Sequence, residues 1–493
     1  MPRTKIWLDC DPGRDDLIAI LFALHLPEIE LLGLSSVHGN ASIEHMTYNC
    51  IRILASFGTK EQVDSIPVFQ GAAVPLVQPS ISASSVHGVD GLGGVEGLLD
   101  ETNPAVASKV AALSTQPTAI IGLADACRAL PGGEKLTIVA TGTMTNVALF
   151  ISVFPELLLE KVERIMIMGG AEGRGNKTPV AESNIACDAH AASIVFNCEL
   201  PVVICPLNLT HTALFTPDIH RELLQPSRAL GIPPTPPLTP GGELPTACSP
   251  LRHTLSTNLT FFAEAYKRKY GMEGPPLHDA LTVAYIAKPE LFKGTRYRVD
   301  VELNGTHTLG STVVDLWEYK KAYLDPSPSN WGRNGKNVLV LEEVDIAAFW
   351  RDVFFAVVDR ADEVVPVNEA WREKRAAFGM VPYNMQVPSG KSVEFIWGAG
   401  PHTVTQFSAL TICNATKEAG AFKSGMQRKG FTFPVEVKDD TKLIWYYCAV
   451  KDHCLKGMFQ RAGTSGSGLQ WGQRQSCPGW GEVFFSFRSF PSF

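Results

Sequence analysis

The alternation of short apolar segments with helical segments between residues 5 and 210 constrains this chain more than any other feature. Apolar runs with β propensity occur at residues 5–9, 30–37, 136–141, 164–168 and 202–205. Between them, residues 17–26, 43–57 and 189–196 have the apolar spacing of helices. This order is typical of βαβ units around a parallel sheet. The sequence therefore predicts an α/β fold with a mostly parallel open sheet and flanking helices.

Domain organisation follows from length and from changes along the chain. At 493 residues the chain is longer than one hydrophobic core usually organises. Further strands are expected at 297–303 and 337–341, further helices at 250–270 and 346–360, and a proline- and glycine-rich insertion at 226–250. We expect a first domain at 1–361, a linker at 362–380, a small all-β domain at 381–460 and an irregular tail at 461–493.

The composition excludes several classes of partner. With 45% hydrophobic residues, 19% charged residues and a net charge of −7, the chain offers no basic surface for nucleic acid or for an acidic membrane. The apolar stretch near Met1 is too short for a signal peptide or a membrane span, so a cytoplasmic location is expected. The cysteines before residue 250 lack C-x-x-C spacing, as reduced cytosolic thiols would.

The strongest chemical signal is the segment DCDPGRDD at residues 9–16, where a predicted strand ends and a helix begins. It places Asp9, Asp11, Asp15 and Asp16 at the sheet edge where α/β proteins bind ligands. Carboxylates this close together repel one another, and a hard divalent cation relieves the repulsion. Two alternatives stay open: simple helix capping by these residues, and the nucleophile motif of a phosphatase of the haloacid dehalogenase type.

A second signal is HDALTVAY, which puts His278 and Asp279 at the start of an apolar helix. The carboxylate can close a metal site, while the imidazole handles a proton near neutral pH. Alone, such a pair is most often a solvated helix start. Together with the first motif, it predicts a metal site beside a proton-transfer residue.

Seven segments resemble, in order, those of the inosine/uridine-preferring nucleoside hydrolases: DCDPGRDD, VHGN, HGVDGLGG, ATGTMTN, MGG, AESNIACDAHAA and PLHDALTVAY. The resemblance covers residues 4 to about 360, and GPPLHDALTVAY is most similar to fungal uridine ribohydrolases. It implies hydrolysis of the N-glycosidic bond of ribonucleosides, uridine or inosine, to ribose and free base. Because that family commonly oligomerises, it also implies a homo-oligomer.

The resemblance implies a calcium ion at the end of the first strand. The implied ligands are Asp11, Asp16, Asp279 and the carbonyl oxygen of Thr141. Asp11 is also the implied general base, which takes a proton from a calcium-bound water. That water attacks C1′ of the ribose through an oxocarbenium-like transition state.

Other matched positions are implied to hold the substrate. Those that bind ribose hydroxyls or line the ribose pocket are Asp15, Asn40, Asn176, Glu182 and Asn184. His278 is implied to manage the proton of the leaving base, with His87 as a second histidine near that base. Ser183 stands where the family often has an aromatic residue. Tyr266 and Tyr270 are equally consistent with stacking on the base and with packing on a helix face.

The C-terminal part carries a different metal-binding pattern. His402, Cys448, His453 and Met458 form the set of two imidazoles, one thiolate and one weak axial thioether that binds copper in blue-copper proteins. Residues 381–460 resemble the fungal extracellular cupredoxins, with a predicted β-sandwich that lacks clear first and last strands. A copper-binding electron-transfer module and a segment whose four residues bind no metal both stay open.

Overall fold

The computed structural model describes residues 3–80, 87–226, 244–319, 325 and 327–369, together with the backbone of eight short strands between residues 380 and 486. The chain forms two compact units, Met1–His220 with Leu251–Val367 and Arg221–Pro250 with Asn368–Phe493. Among the described residues, no helix is long and apolar enough to cross a membrane. The first unit contains the sheet that the sequence predicts.

The first unit is built on an eight-stranded sheet. Its strands are β1 Thr4–Cys10, β2 Ile29–Ser36, β3 Val68–Gln70, β4 Leu136–Ala140, β5 Val162–Met168, β6 Val202–Cys205, β7 Phe292–Tyr297 and β10 Val338–Val344. Their order in space is β3-β2-β1-β4-β5-β6-β10-β7. Every neighbouring pair is parallel except β10 with β7. The predicted mostly parallel α/β sheet is confirmed.

The expected strand at 297–303 is wrong in its bounds. Two strands occupy this region: β7 at the antiparallel edge of the main sheet, and β8 Val299–Val301, which pairs with β9 Thr312–Val314 in a separate two-stranded sheet. Arg298 lies between β7 and β8. Its buried side chain donates to Asn197 Oδ1 at 2.8 Å and to the Arg333 carbonyl at 2.7 Å. These contacts hold the chain where it leaves the main sheet.

Helices flank the sheet. They span Asp16–His25, Ile43–Phe57, Lys60–Ser65, Pro104–Ala112, Ala119–Ala129, Thr145–Val153, Pro155–Lys161, Ser183–Cys187, Ala189–Phe196, Leu207–Thr210, Pro217–Leu224, Pro250–Tyr270, Ala280–Ala287 and Phe355–Asp362, with 3₁₀ turns at Leu113–Thr115 and Pro289–Leu291. The helices predicted at 43–57, 189–196 and 250–270 are confirmed with these bounds.

The helix predicted at 346–360 is interrupted. An α turn at Ile346–Ala348 and a π-helical segment at Phe349–Phe354 precede the regular helix Phe355–Asp362. The rings of Phe349 and Phe354 both pack on Phe22, each with its centroid 6.2 Å from that of Phe22. A π turn changes the direction of side chains along a helix. The interruption therefore accompanies tertiary packing that the helical spacing alone does not contain.

A continuous hydrophobic core fixes the central strand β1. The buried ring of Trp7 stacks on Phe69 at a centroid distance of 5.6 Å, and Trp7 Nε1 donates to Ser35 Oγ at 2.8 Å. Gly33 on β2 cannot carry a side chain, because a Cβ there would lie 2.5 Å from the Trp7 ring. Burial of a large apolar side chain stabilises the fold by on the order of 3 kcal/mol. The acidic motif thus begins on a firmly held strand.

The second unit contains eight short strands. They are β11 Met380–Val381, β12 Asn384–Met385, β13 Ser392–Ile396, β14 Thr405–Phe407, β15 Thr432–Glu436, β16 Ile444–Tyr447, β17 Phe459–Ala462 and β18 Val483–Ser486, in two four-stranded sheets. Within residues 461–493, where an irregular tail is expected, β18 is an apolar run that pairs antiparallel with β13. The predicted copper ligands His402, Cys448, His453 and Met458 lie outside the described residues, so copper binding stays a prediction.

His220 gives the first unit a pH-sensitive buried contact. Its Nε2 lies 2.7 Å from Ser256 Oγ, and its ring packs on Phe215 at a centroid distance of 5.1 Å. Burial lowers the pKa of His220 to about 4, because the imidazolium would lose its hydration. The unfolded chain therefore binds this proton more tightly than the folded protein does. Stability is retained above the unfolded pKa of about 6.5 and is lost as the pH falls towards 4.

We expect this one histidine to lower the free energy of unfolding by ~3 kcal/mol between about pH 7 and pH 4. Urea unfolding at a series of pH values measures the effect. His220→Gln should flatten the pH dependence, whereas His253→Gln, at a histidine with 52% of its side chain exposed, should not. An unchanged slope in His220→Gln would contradict the assignment.

Candidate functional site

A pocket of about 630 Å³, open to solvent, lies at the carboxyl edge of the parallel sheet. Residues at the ends of three neighbouring strands contribute to its wall: Asp11 after β1, Thr141 after β4 and Met168 on β5. The structure brings most of the predicted site residues together here, namely Asp11, Asp15, Asn40, His87, Thr141, Asn176, Glu182, Asn184, His278 and Asp279. These predicted residues thus share one pocket.

Three buried carboxylates meet beside this pocket. One oxygen from each of Asp15, Asp16 and Asp279 lies within 4.8 Å of the others. Burial raises the pKa of Asp279 well above its ordinary value, and the charges of Asp15 and Asp16 raise it further. Burial and the charge of Asp16 raise the pKa of Asp15 to about 7. A hard divalent cation relieves such repulsion between dry carboxylates, so this donor set fits calcium.

The three clustered carboxylates are not the same residues as the predicted calcium ligands. Asp15, expected at the ribose, belongs to the cluster, whereas Asp11 does not. Asp16 Oδ1 accepts from the Thr141 hydroxyl at 2.8 Å, and the Thr141 carbonyl accepts from Asn184 Nδ2 at 2.7 Å. The ligand roles of Asp11 and of the Thr141 carbonyl stay predictions.

Asp11 is held in place by the VHGN segment that follows β2. Asn40 N donates to Asp11 Oδ2 at 2.8 Å, and Asn40 Nδ2 donates to the Asp11 carbonyl at 2.9 Å. Two glycines give the carboxylate its space, since a Cβ on Gly39 would lie 2.0 Å from Oδ2 and one on Gly142 2.7 Å from Oδ1. Burial raises the pKa of Asp11 well above its ordinary value, and the charge of Asp16 adds to the effect. A raised pKa makes a carboxylate a stronger base.

Glu182 and two amides form another part of the pocket wall. Glu182 precedes the helix Ser183–Cys187 and accepts from Asn184 N at 2.9 Å. Burial raises the pKa of Glu182 to about 7. Asn176 Oδ1 accepts from Ser183 N at 2.9 Å. This mixture of acceptors and donors suits the hydroxyls of a sugar.

His278 lies in a dry hydrogen-bonded network. Its Nδ1 is 2.7 Å from Thr210 Oγ1, and its Nε2 is 2.7 Å from the Tyr266 hydroxyl. Burial lowers the pKa of His278 well below its ordinary value, and His211 lowers it further. His278 is therefore a neutral imidazole at neutral pH. The sequence was equally consistent with Tyr266 stacking on the base and with Tyr266 packing on a helix face. The structure shows a third role, because the Tyr266 hydroxyl is hydrogen-bonded to His278.

His87 also lines the pocket. Its Nδ1 accepts from the main-chain N–H of Arg14 at 3.3 Å, so the neutral ring carries its proton on Nε2. Burial lowers the pKa of His87 to about 3, and the charges of Arg14 and Lys269 contribute. Its ring packs on Phe262 at a centroid distance of 5.5 Å.

Asp9 does not line the pocket, although the sequence counted it among the clustered carboxylates. Its Oδ1 accepts from Asn146 Nδ2 at 2.8 Å and from the Ser35 hydroxyl, and burial raises its pKa to about 7. Two lysines that no motif indicated, Lys177 and Lys269, do line the pocket. Neither belongs to a spacing pattern, so no sequence signal could have singled them out.

A comparison with protein families agrees with this geometry. A model described as inosine-uridine preferring nucleoside hydrolase matches residues 6–351. The chain belongs to the inosine-uridine preferring nucleoside hydrolase family. This nucleoside hydrolase is an enzyme that acts on ribonucleosides, and the comparisons do not favour the phosphatase or copper-protein alternatives.

Relatives and solved structures support the same assignment. Pyrimidine-specific ribonucleoside hydrolase RihA of Citrobacter koseri is 40% identical over 313 residues, which are 63% of this chain and 88% of that protein. RihA of Shigella boydii is 39% identical over 345 residues, 70% of this chain and 95% of that protein. The structure of a purine-preferring ribonucleoside hydrolase from Gardnerella vaginalis matches with 25% identity and a TM-score of 0.58, over 73% of this chain and all of that one. The more specific fungal likeness stays a prediction.

The cluster formed by Asp15, Asp16 and Asp279 leads to a prediction about thermal stability. Substitution of one of these carboxylates should have opposite effects on the melting temperature without calcium and with it. Asp279→Asn removes one of the repelling charges, so at about pH 8 in a chelator its melting temperature should equal or exceed that of the parent. Calcium should raise the melting temperature of the parent much more than that of the variant, because binding stabilises the folded state. Thermal unfolding measures both. Asp64→Asn, at an exposed carboxylate, should match the parent, and an equal calcium response in Asp279→Asn would refute the site.

Proposed function

We propose that this nucleoside hydrolase cleaves the N-glycosidic bond of ribonucleosides with calcium as cofactor and Asp11 as general base. The observation that carries the proposal is that Asp15, Asp16 and Asp279 form a buried carboxylate group at the pocket that Asp11 also lines. Calcium, when bound, neutralises these carboxylates and makes water more acidic.

The acidic half of the pocket is the proposed sugar subsite. Asp11 accepts a proton from the attacking water, and the surrounding negative charge stabilises the positive charge that develops on the ribose ring. Asn40, Asn176, Glu182 and Asn184 hold the ribose hydroxyls. Two observations support this assignment: Asn40 fixes Asp11 through two hydrogen bonds, and Glu182 is fixed by main-chain donors. Groups held in one orientation lose little freedom when the substrate binds.

The half of the pocket that carries His87, Tyr266 and His278 is the proposed base subsite. A neutral imidazole has one donor and one acceptor nitrogen, and both nitrogens of His278 lie at hydrogen-bond distance from a hydroxyl group. We infer that Tyr266 and His278 handle the proton of the leaving base as a pair, rather than His278 alone. The shared hydrogen bond of 2.7 Å supports this.

Uridine and cytidine are the proposed preferred substrates. The relatives with 40% identity are named as pyrimidine-specific, whereas the purine-preferring relative has a sequence identity of 25%. A cytoplasmic location and a homo-oligomeric assembly belong to the same proposal, and the resemblance implies the second of these.

The first test measures reducing sugar released from uridine, cytidine and inosine by the full-length protein. We expect ribose release that a strong calcium chelator abolishes and that added calcium restores. Asp11→Ala should lower kcat by at least about 1,000-fold, because the general base is lost. Asp64→Asn, far from any motif, is the control. Ribose release that persists in the chelator, or in Asp11→Ala, would contradict the proposal.

The pairing of Tyr266 with His278 predicts a dependence on the leaving group. Tyr266→Phe and His278→Gln should each lower kcat for uridine by about 100-fold, yet lower it much less for p-nitrophenyl β-D-ribofuranoside, whose leaving group needs no proton. Tyr285→Phe is the matched control, since Tyr285 packs on Phe292 and does not line the pocket. Equal losses on both substrates would show that the pair serves another purpose.

A further inference from the structure

Arg14, in the middle of the acidic motif, is a buried cation that the proposed mechanism does not use. Its side chain is fully buried. The guanidinium donates to the main-chain carbonyl of Asn258 at 2.9 Å and to that of Gly93, and it lies 3.9 Å from the centre of the Phe261 ring. Asn258 Nδ2 in turn donates to the Arg14 carbonyl at 2.8 Å. One residue therefore ties the acidic loop to two distant segments.

The first of these segments is the glycine-rich loop 87–95. Gly88 and Gly91 have φ of +87° and +84°, a conformation that glycine adopts without strain. Glycines of this kind also leave a chain free to move in the absence of external contacts. Apart from Arg14, Asn49 holds the loop by donating to the Asp90 carbonyl at 2.8 Å. Among the described contacts, the Arg14 guanidinium, Asn49 and the Phe262 ring thus help to fix the conformation of the loop.

The second segment is the helix that bears Tyr266. The main-chain N–H of Arg14 donates to His87 Nδ1 at 3.3 Å. The His87 ring packs on Phe262, and Phe262 packs edge-on against Tyr266 at a centroid distance of 4.8 Å. Tyr266 then meets His278 at 2.7 Å. Contacts thus run from the Arg14 main chain through His87 and Phe262 to Tyr266, and the bond from the guanidinium to the Asn258 carbonyl holds the same helix.

The Arg14 guanidinium connects these segments at a cost in free energy, because a buried charge loses its hydration. Asp15 and Asp90 attract Arg14 through space, yet both of its hydrogen-bond acceptors are neutral carbonyl groups. Burial lowers the pKa of Arg14 to about 10, as expected for a cation that has lost hydration. A well-packed apolar residue often stabilises a protein more than a buried charge does. Stability alone therefore does not account for arginine at this position.

We propose that Arg14 is a positioning residue, which holds His87 and Tyr266 at the leaving base by tying loop 87–95 and the helix Pro250–Tyr270 to the acidic loop. This inference rests on the nucleoside hydrolase function proposed above. Arg14 itself is not among the residues that line the pocket. It serves the departure of the base, whereas the carboxylates serve the sugar.

Two ribosides separate these roles. We expect Arg14→Met to lower kcat/KM for uridine by about 100-fold, and for p-nitrophenyl β-D-ribofuranoside by less than about threefold. Arg14→Lys keeps the charge and one donor, so it should recover part of the uridine activity. Arg52→Met is the matched control, because Arg52 also donates to a main-chain carbonyl, that of Leu99 at 3.0 Å, and lies over the Tyr48 ring. It should change neither rate.

Hydrogen exchange of the calcium-loaded protein gives a readout that does not depend on activity. Arg14→Met should speed exchange of the amides in loop 87–95 by about tenfold and leave β1 and β4 unchanged. Where Arg14→Met does not fold, Arg14→Lys carries the same comparisons, with smaller changes in the same direction.

The outcomes distinguish this inference from the proposed function. Unchanged exchange in the loop would overturn it, as would equal losses on both ribosides or no loss on either. If the parent protein releases neither uracil nor p-nitrophenol, the nucleoside hydrolase function fails. In that case the hydrogen-exchange rates of the amides in loop 87–95 alone test whether Arg14 holds this loop.

Discussion

The site depends on one constraint: several carboxylates must stay dry and close together at the end of β1. Burial of a carboxylate costs several kcal/mol unless hydrogen bonds or an opposite charge compensate. The chain compensates in part, since Asn40 N donates to Asp11 and Gly13 N donates to Asp16 at 2.9 Å. The pKa values of Asp11 and Asp279 nevertheless stay raised, first because both groups are buried and then because neighbouring carboxylates repel them. The remaining repulsion is what a divalent cation would relieve.

The position of β1 in the sheet follows from the same constraint. It pairs in parallel with β2 on one side and β4 on the other, so the loops after all three strands reach the same edge. Asp11 fits between the two flanking loops only because Gly39 and Gly142 have no side chains. In an antiparallel sheet these loops would lie at opposite edges. The parallel topology is thus a requirement of the site as well as a packing solution for apolar strands.

Sequence reasoning succeeded where the information is local and failed where it is not. The bounds of β1, β2, β4, β5 and β6 were predicted to within two residues, and the motifs at strand ends contain residues that line one pocket. The three residues of β3 are too few to show a period, and the π turn at Phe349–Phe354 accompanies packing against a ring more than 300 residues away. The contact of Arg14 with Asn258, across 244 residues, has no linear signature. The direction of side chains at the site could not be predicted from the sequence either. The sequence spacing grouped Asp9 with the other carboxylates of the motif, but in the structure Asp9 does not line the pocket.

The pocket wall contains buried carboxylates and buried imidazoles, and one physical cause shifts the pKa values of both. Burial disfavours charge, so it raises the pKa of Asp11 and lowers the pKa of His278 and His87. The first effect gives a stronger base beside a sugar that becomes cationic. The second gives neutral hydrogen-bonding groups beside a base that gains electron density as it leaves. Water that entered the pocket would weaken both effects together, because it would restore the hydration that burial removes.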